Sequence, residues 1–376
     1  MTHRGLRNIF HLGIKELWSL IRDPMMLILI AYSFTLAISS AATALPETLH
    51  KAPIAIVDED HSTLSRRIVA SFYPPNFVVF EVGSAATIDA GMDAGRYTFA
   101  LIIPAGFERD VLAGRQPDIQ LNVDATRMSQ AFAGSGHVQQ IISQEVAEFV
   151  KGYRGHASLP VELVPRMRFN PALEQSWFAS IMEIINQITM ISIILAGAAL
   201  IREREHGTIE HLLVMPVTPV QIMLAKVWAT GLVVILVTAA SLTFVIQGAL
   251  GVPIQGSVAL FMGCVALHLM ATTSMGIFMA TLSRSMPQFG LLLILTLLPL
   301  QMLSGGMTPR ESMPQLAQWL MMAAPTTHFT AVAQAILYRG AAIDVVWPQM
   351  MAMVVIASIF FWLAMTRFRK TLLQGG

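Results

Sequence analysis

Charge is the first thing this sequence lacks. Of its 376 residues only 12% are Asp, Glu, Lys or Arg, against roughly 25% in soluble globular chains. The few charges nearly cancel, 24 basic against 23 acidic, so no bulk basicity points to nucleic acid. A single cysteine, Cys264, excludes an intrachain disulfide and a cysteine metal cluster. No G-x-x-x-x-G-K-[ST] phosphate loop occurs, so the chain cannot cradle ATP in that way. The zinc pattern H-E-x-x-H and the nucleophile elbow G-x-S-x-G are missing too, and no catalytic constellation replaces them. Leu303-Ser304-Gly305-Gly306 is spelled like the start of an ATPase signature loop, but it closes an apolar run and stands without companion motifs.

What is present is apolar length. Hydrophobic residues make up 55% of the chain. A helix needs about 20 predominantly apolar residues to cross a hydrocarbon core of ~30 Å. Met25–Leu45, Trp177–Ile201, Ile222–Leu250, Ser257–Leu282, Gln288–Ser304 and Val346–Arg367 meet that pattern, and six spans are expected. Leu316–Leu337 is apolar but interrupted by Pro325, His328 and Gln334, so residues 305–345 read as a re-entrant or peripheral segment. The first run is long enough to span, which argues against a cleaved signal peptide ending at Ala42-Thr43-Ala44.

The charges that remain are sorted by side. Arg4, Arg7, Lys15 and Arg22 precede the first span, and Arg202, Arg204 and Lys226 lie between the second and third. Arg284 lies between the fourth and fifth, and Arg367, Arg369 and Lys370 follow the last. The other side has no basic residue in Gly251–Gly256 and only Arg310 and Arg339 in the last loop. Both termini are therefore expected in the cytoplasm, with residues 46–175 on the opposite side.

Residues 1–24 form a helix lying in the membrane interface. On a wheel of 100° per residue, Leu6, Ile9, Phe10, Gly13, Ile14, Leu17, Leu20 and Ile21 share one arc. Arg4, Arg7, Asn8, His11, Lys15, Ser19 and Arg22 take the opposite one, and Asp23-Pro24 ends the helix.

Residues 46–175 alternate strand and helix patterns, which predicts a compact α/β domain. Strands are expected at Ile54–Val57, Phe77–Glu81, Thr98–Ile103, Ile119–Val123 and Val161–Phe169, with helices at Ser62–Phe72, Ala85–Gly95, Phe107–Ala113 and Met128–Val150. Asp58-Glu59-Asp60-His61 offers hard oxygens to a divalent cation, but acidic residues behind a strand equally form a turn and a helix cap.

Two groups of residues carry functional readings. The loop after the second span, residues 202–220, contains Arg202, Glu203, Arg204, Glu205, Gly207, Thr208, Glu210, Leu212, Leu213 and Pro216. Thr208 supplies an N-cap, Glu210 suits the first turn, and Ile209, Leu212 and Leu213 make an apolar face that Pro216 ends. Such a helix either docks in a groove on a cytoplasmic partner or rests on lipid headgroups. Within the spans, Glu183 with Asn186 and Gln187 on its face, and His268, are candidates for a translocation path or for interhelical hydrogen bonding.

The loop's pattern, Arg-Glu-Arg-Glu-x-Gly-Thr-x-Glu-x-Leu-Leu-x-x-Pro, resembles the cytoplasmic coupling segment of ABC-2 type transporter permeases. Leu303-Ser304-Gly305, Pro309, Glu311-Ser312-Met313-Pro314 and Pro325-Thr326-Thr327-His328-Phe329 through Leu337-Tyr338-Arg339-Gly340 resemble the family's segment before the last span. Val57-Asp58-Glu59-Asp60, Ser65-Arg66, Ile103-Pro104-Ala105-Gly106-Phe107-Glu108 and Val123-Asp124 are similar to its long-insert exporter subgroup. The resemblance implies the permease of an ATP-driven exporter in a bacterial inner membrane. It implies a second permease copy as dimer partner and a separate ATPase subunit, touched by Arg202–Pro216, which holds ATP and Mg; this chain itself binds no cofactor. It further implies a periplasmic adaptor and an outer-membrane channel near the insert. A proton-coupled transporter using Glu183 and His268, or a membrane-anchored receptor, are the alternatives from other classes.

Overall fold

A computed structural model describes residues 3–44, 51–124, 128–151, 174–207, 217–306 and 310–374. Two compact units result, residues 45–166 and the remainder.

The smaller unit is the α/β insert. Four strands, β1 (Ala52–Asp58), β2 (Phe77–Glu81), β3 (Phe99–Ile103) and β4 (Gln120–Val123), form a sheet in the order β2-β1-β3-β4. β1 runs parallel to β2 and β3, while β4 is antiparallel to β3. β1 is central and apolar almost throughout because both its faces are covered. Ala52, Ile54 and Ile56 join a core with Leu64, Ile68, Phe77, Phe99 and Val138. Ala55 and Val57 pack with Ile88, Tyr97 and Ala100 on the other face. The four described strands and the insert's helices (Thr63–Ala70, Ala85–Asp93, Phe107–Leu112 and Met128–Lys151) follow the expected alternation. The expected strand Val161–Phe169 lies outside the described residues.

The larger unit is a helix bundle. Its elements are α1 (His3–Ile21), α2 (Pro24–Phe34), α3 (Leu36–Ala44), α4 (Gln175–Glu205), α5 (Pro219–Ala240, continued as a π-helix over Ser241–Ala249), α6 (Val258–Leu282), α7 (Met286–Met302), α8 (Gln315–Met321), α9 (Pro325–Leu337) and α10 (Ile343–Gln374). α4 is the central member, and its buried residues run from Ser180 to Glu203.

Of the six expected spans, five are identified among the described residues as helical stretches long and apolar enough to cross a membrane: Pro24–Thr43, Gln175–Glu205, Pro219–Ala249, Val258–Leu282 and Ile343–Lys370. The expected sixth, Met286–Met302, has 17 residues, or about 25 Å of helix against a core of ~30 Å. Pro287 at its start and a cap at Leu303 set its limits. Leu316–Leu337 resolves into two short helices, α8 and α9; α9 is buried over most of its length.

Helices in lipid gain little from apolar burial against one another, so small residues and polar links decide where they meet. A Cβ on Gly276 of α6 would stand 2.5 Å from the Ile193 carbonyl oxygen of α4. One on Gly197 of α4 would collide with the Phe289 ring of α7 at 2.2 Å. Ser192 donates to Thr272 at 2.7 Å across the same α4–α6 contact. The first span is interrupted at Thr35, and Ser241, where the π-helix begins, donates to the Phe34 carbonyl at 2.6 Å.

Gly276→Ala is expected to force α4 and α6 apart, because the obstacle is backbone. A loss on the order of 1–3 kcal/mol should appear as a lower thermal unfolding midpoint in detergent, with Gly290→Ala, where a Cβ meets open space, as the unaffected control.

Candidate functional site

The sequence pattern Arg202-Glu203-Arg204-Glu205 forms the last turn of α4. Successive helix positions are 100° apart, so four consecutive side chains radiate around the axis rather than share a face. Each finds a different neighbour. Arg202 pairs with Asp23, the N-cap of α2, which also accepts from the Met26 amide at 3.1 Å. Glu203 pairs with Lys226 of α5 at 2.8 Å and Lys15 of α1 at 2.7 Å. Arg204 donates to the carbonyls of Ala280 and Ser283, at 3.2 and 2.7 Å, at the end of α6. Glu205 accepts from the Met286 amide at 3.1 Å, the first residue of α7. The last two contacts set a cation on helical carbonyls and a carboxylate on a helical amide, the arrangement that the helix dipole favours.

The centre of this cluster is buried. Lys226 exposes 3% of its side chain and Glu203 9%. Lys226 also reaches Glu16 of α1 at 3.0 Å, so two cations and two carboxylates alternate. Such charges are tolerated in low dielectric because they neutralise one another. Packing holds α1 in register with them: Gly13 lies where a Cβ would strike the Trp228 ring at 2.1 Å. Trp228 donates to the Ile9 carbonyl at 3.1 Å and stacks on Phe10. Leu12 is buried, while Leu6, Phe10 and Ile21 of the apolar arc remain exposed. The sequence reading puts Lys15 on the polar arc of the interfacial helix, Asp23 at that helix's end and Lys226 among the loop charges, and leaves Glu16 unassigned. The available signal was Lys226 itself, a cation several residues inside an expected span.

Of the other loop residues, Gly207 has φ +67, a left-handed turn that suits glycine. Thr208, Glu210, Leu212, Leu213 and Pro216 lie outside the described residues.

The intramembrane candidates do not form one site. Glu183 accepts a hydrogen bond from Gln187, one turn along α4. Gln187 is buried and its amide oxygen has no partner. Asn186 is half-buried. His268 is fully buried, bonded through Nε2 to Thr189 at 2.9 Å and stacked on Phe329 at 4.1 Å. That environment is one of packing between α4, α6 and α9. His328, an interruption of the apolar run and part of the segment that resembles the family, is bonded at both ring nitrogens, to Gln349 and the Met322 carbonyl.

In the insert, the Asp58–His61 turn is committed to its own backbone. Asp58 accepts from the amides of Asp60 and His61 and from Ser65 Oγ. Asp60 accepts from the Glu108 amide, and Glu108 in return accepts from the Leu64 amide. Burial alone would raise the Asp60 pKa, but the Ser62 hydroxyl and the amides of Glu108, Gly106 and Phe107 outweigh it and hold the carboxyl below its ordinary range. Among the described residues no group of three or more His, Cys, Asp or Glu side chains is placed to hold a metal ion. A cleft of ≈ 890 Å³ opens beside this turn, lined by Asp58, Glu59, His61, Arg66 and Glu81 over an apolar floor that includes Val69 and Val82.

Lys226→Met would leave Glu203 and Glu16 sharing only the half-exposed Lys15. Breaking a buried pair from one side costs roughly 3–5 kcal/mol, so the variant's unfolding midpoint in detergent should fall well below that of Lys226→Arg.

The comparisons with known proteins converge. The family described as ABC-2 family transporter protein matches residues 17–366. The inner membrane transport permease YhhJ of Escherichia coli (strain K12) is 62% identical over 369 residues, covering 98% of this chain and 99% of that protein. Its Shigella flexneri counterpart gives the same figures. The probable multidrug ABC transporter permease YbhR of Escherichia coli (strain K12) is 28% identical over 359 residues, covering 95% of this chain and 96% of that protein. A family match over nearly the whole chain, relatives matched end to end, and a polytopic helical unit carrying an inserted α/β domain lead to one conclusion: the chain belongs to the ABC-2 transporter family, as a permease subunit of an ABC transport system.

Proposed function

We propose that this chain is the membrane half of an exporter, converting ATP hydrolysis in a separate subunit into outward movement of a substrate across the bacterial inner membrane. The observation that carries this is the α4 terminus: the loop follows the most buried of the candidate spans, at a point where that helix grips five others. A partner that pushes here reaches the whole bundle. The loop from Arg202 to Pro216 is the ATPase-facing segment in this reading, with Leu212 and Leu213 as the apolar face that docks.

The loop charges support cytoplasmic termini and an insert on the far side, in the periplasm. There the insert's cleft and outer surface are available to an adaptor leading to an outer-membrane channel. A second permease copy completes the pathway. Exposed apolar rows on α7 (Leu291, Ile294, Leu295, Leu298) and α10 (Val355, Ile359, Trp362) supply the area for that copy and for lipid. Met286–Met302 serves as a short sixth crossing, with α8 and α9 as the re-entrant pair before the last one. Glu183, Asn186 and Gln187 line the substrate path in this scheme: a carboxylate and two amides on one face of α4 are costly in lipid unless they face a polar route or one another.

Replacing Leu212 and Leu213 by Glu should lower permease-stimulated ATPase activity at least about tenfold, a loss of ~1.4 kcal/mol, in a co-reconstituted complex. Full stimulation in that variant would overturn the assignment of this segment.

A further inference from the structure

The charged turn Arg202–Glu205 lies within the loop just read as ATPase-facing, and the simplest extension would make its charges part of the docking surface. The geometry argues otherwise. A docking surface needs side chains on one face, and four consecutive helical residues cannot supply one. Every one of the four is engaged within the chain: Arg202 with Asp23, Glu203 with Lys226 and Lys15, Arg204 with two carbonyls at the end of α6, and Glu205 with the first amide of α7.

We propose that Arg202–Glu205 act as an internal clasp, locking α1 and the adjoining ends of α2, α5, α6 and α7 to α4, so that force received beyond Gly207 moves them as one body. The inference rests on the preceding reading that the loop faces an ATPase. Apolar contacts between helices slide readily because one apolar neighbour serves nearly as well as another. Buried ion pairs do not, since separation strands a charge in low dielectric. The partners are spread accordingly: three lie at helix termini, where axial motion would be transmitted (Asp23, Ser283 and Met286), and the most deeply buried, Lys226, bridges Glu203 of α4 and Glu16 of α1. α1 is held to α5 independently by Trp228 on Gly13 and Ile9. The interfacial helix is thereby part of the moving body rather than a passive float. Lys226, Glu203 and Arg204 are positioning residues in this scheme: they touch no substrate and no nucleotide.

The test uses the full chain in nanodiscs with and without its ATPase, in a Cys264→Ala background, with nitroxide labels at His11→Cys on α1 and Arg284→Cys beyond α6. The clasp predicts a single narrow distance distribution that ATP binding and hydrolysis leave unchanged. Lys226→Met should broaden or shift it, and Lys226→Arg should keep it narrow. Glu203→Gln serves the same purpose should Lys226→Met fail to fold. ATPase affinity of Lys226→Met should stay within about threefold of the parent, under ~0.7 kcal/mol. A label distance that moves with ATP in the parent, or stays narrow in both variants, overturns the proposal. So does an affinity loss of tenfold or more with the distance unmoved, which would make the charges a docking surface. If the parent binds no ATPase at all, the reading of the loop fails instead, and the label distances without ATP still decide whether the clasp exists.

Discussion

The buried contact between Lys226 and Glu203 is the constraint around which the bundle's charged end is arranged. Neither charge could remain there alone. Lys226 is almost wholly enclosed, and an isolated ammonium in that setting would lose its hydration with nothing in return. Its partners come from α4 and α1, and the partner of Glu203 beyond Lys226 is Lys15, again from α1. Two short-range requirements therefore place the interfacial helix against two long ones. The neighbouring residues of the same turn then reach α2, α6 and α7.

The rest of the bundle follows a different rule. Leu, Ile and Val dominate its core, yet in lipid such residues are nearly indifferent to which helix they touch. Discrimination comes from exceptions. Gly276 admits the α4 backbone where any side chain would exclude it, and Gly197 receives the Phe289 ring. Ser192 with Thr272, and Thr189 with His268, pin α4 and α6 by hydrogen bonds. Ser241 satisfies the carbonyl left open at the Thr35 break in the first span. The proposed mechanism needs helices that move without coming apart, and this division suits it: the apolar faces leave room for motion, and a few polar contacts select which helices would travel together.

The insert obeys soluble-protein physics and was correspondingly legible. The alternation of β1, β2 and β3 with intervening helices is readable because turn residues separate the elements, Tyr73-Pro74-Pro75 before β2 and Pro104-Ala105-Gly106 after β3. Phe77–Glu81 was placed with both ends correct. The spans were legible for a blunter reason, their apolar length. Met286–Met302 falls short by that measure, and the stretch expected from the sequence, Gln288–Ser304, is no longer than the helix itself. The motif Arg202–Glu205 was found at once, but its partners were not: Asp23, Lys15, Glu16 and Lys226 are distant in sequence, and nothing local marks them as a set.

By itself, then, the sequence determined the class of the molecule, the order of its elements, the apolar stretches built to cross a membrane and the family to which it belongs. Those properties are written in composition, periodicity and short motifs, which act over a turn or a strand. Only the tertiary structure decided what the charged turn does. Four successive side chains point in four directions, so their roles depend on which helices stand in those directions. That is set by close backbone approaches and buried charge pairs between residues as far apart as Glu16 and Lys226.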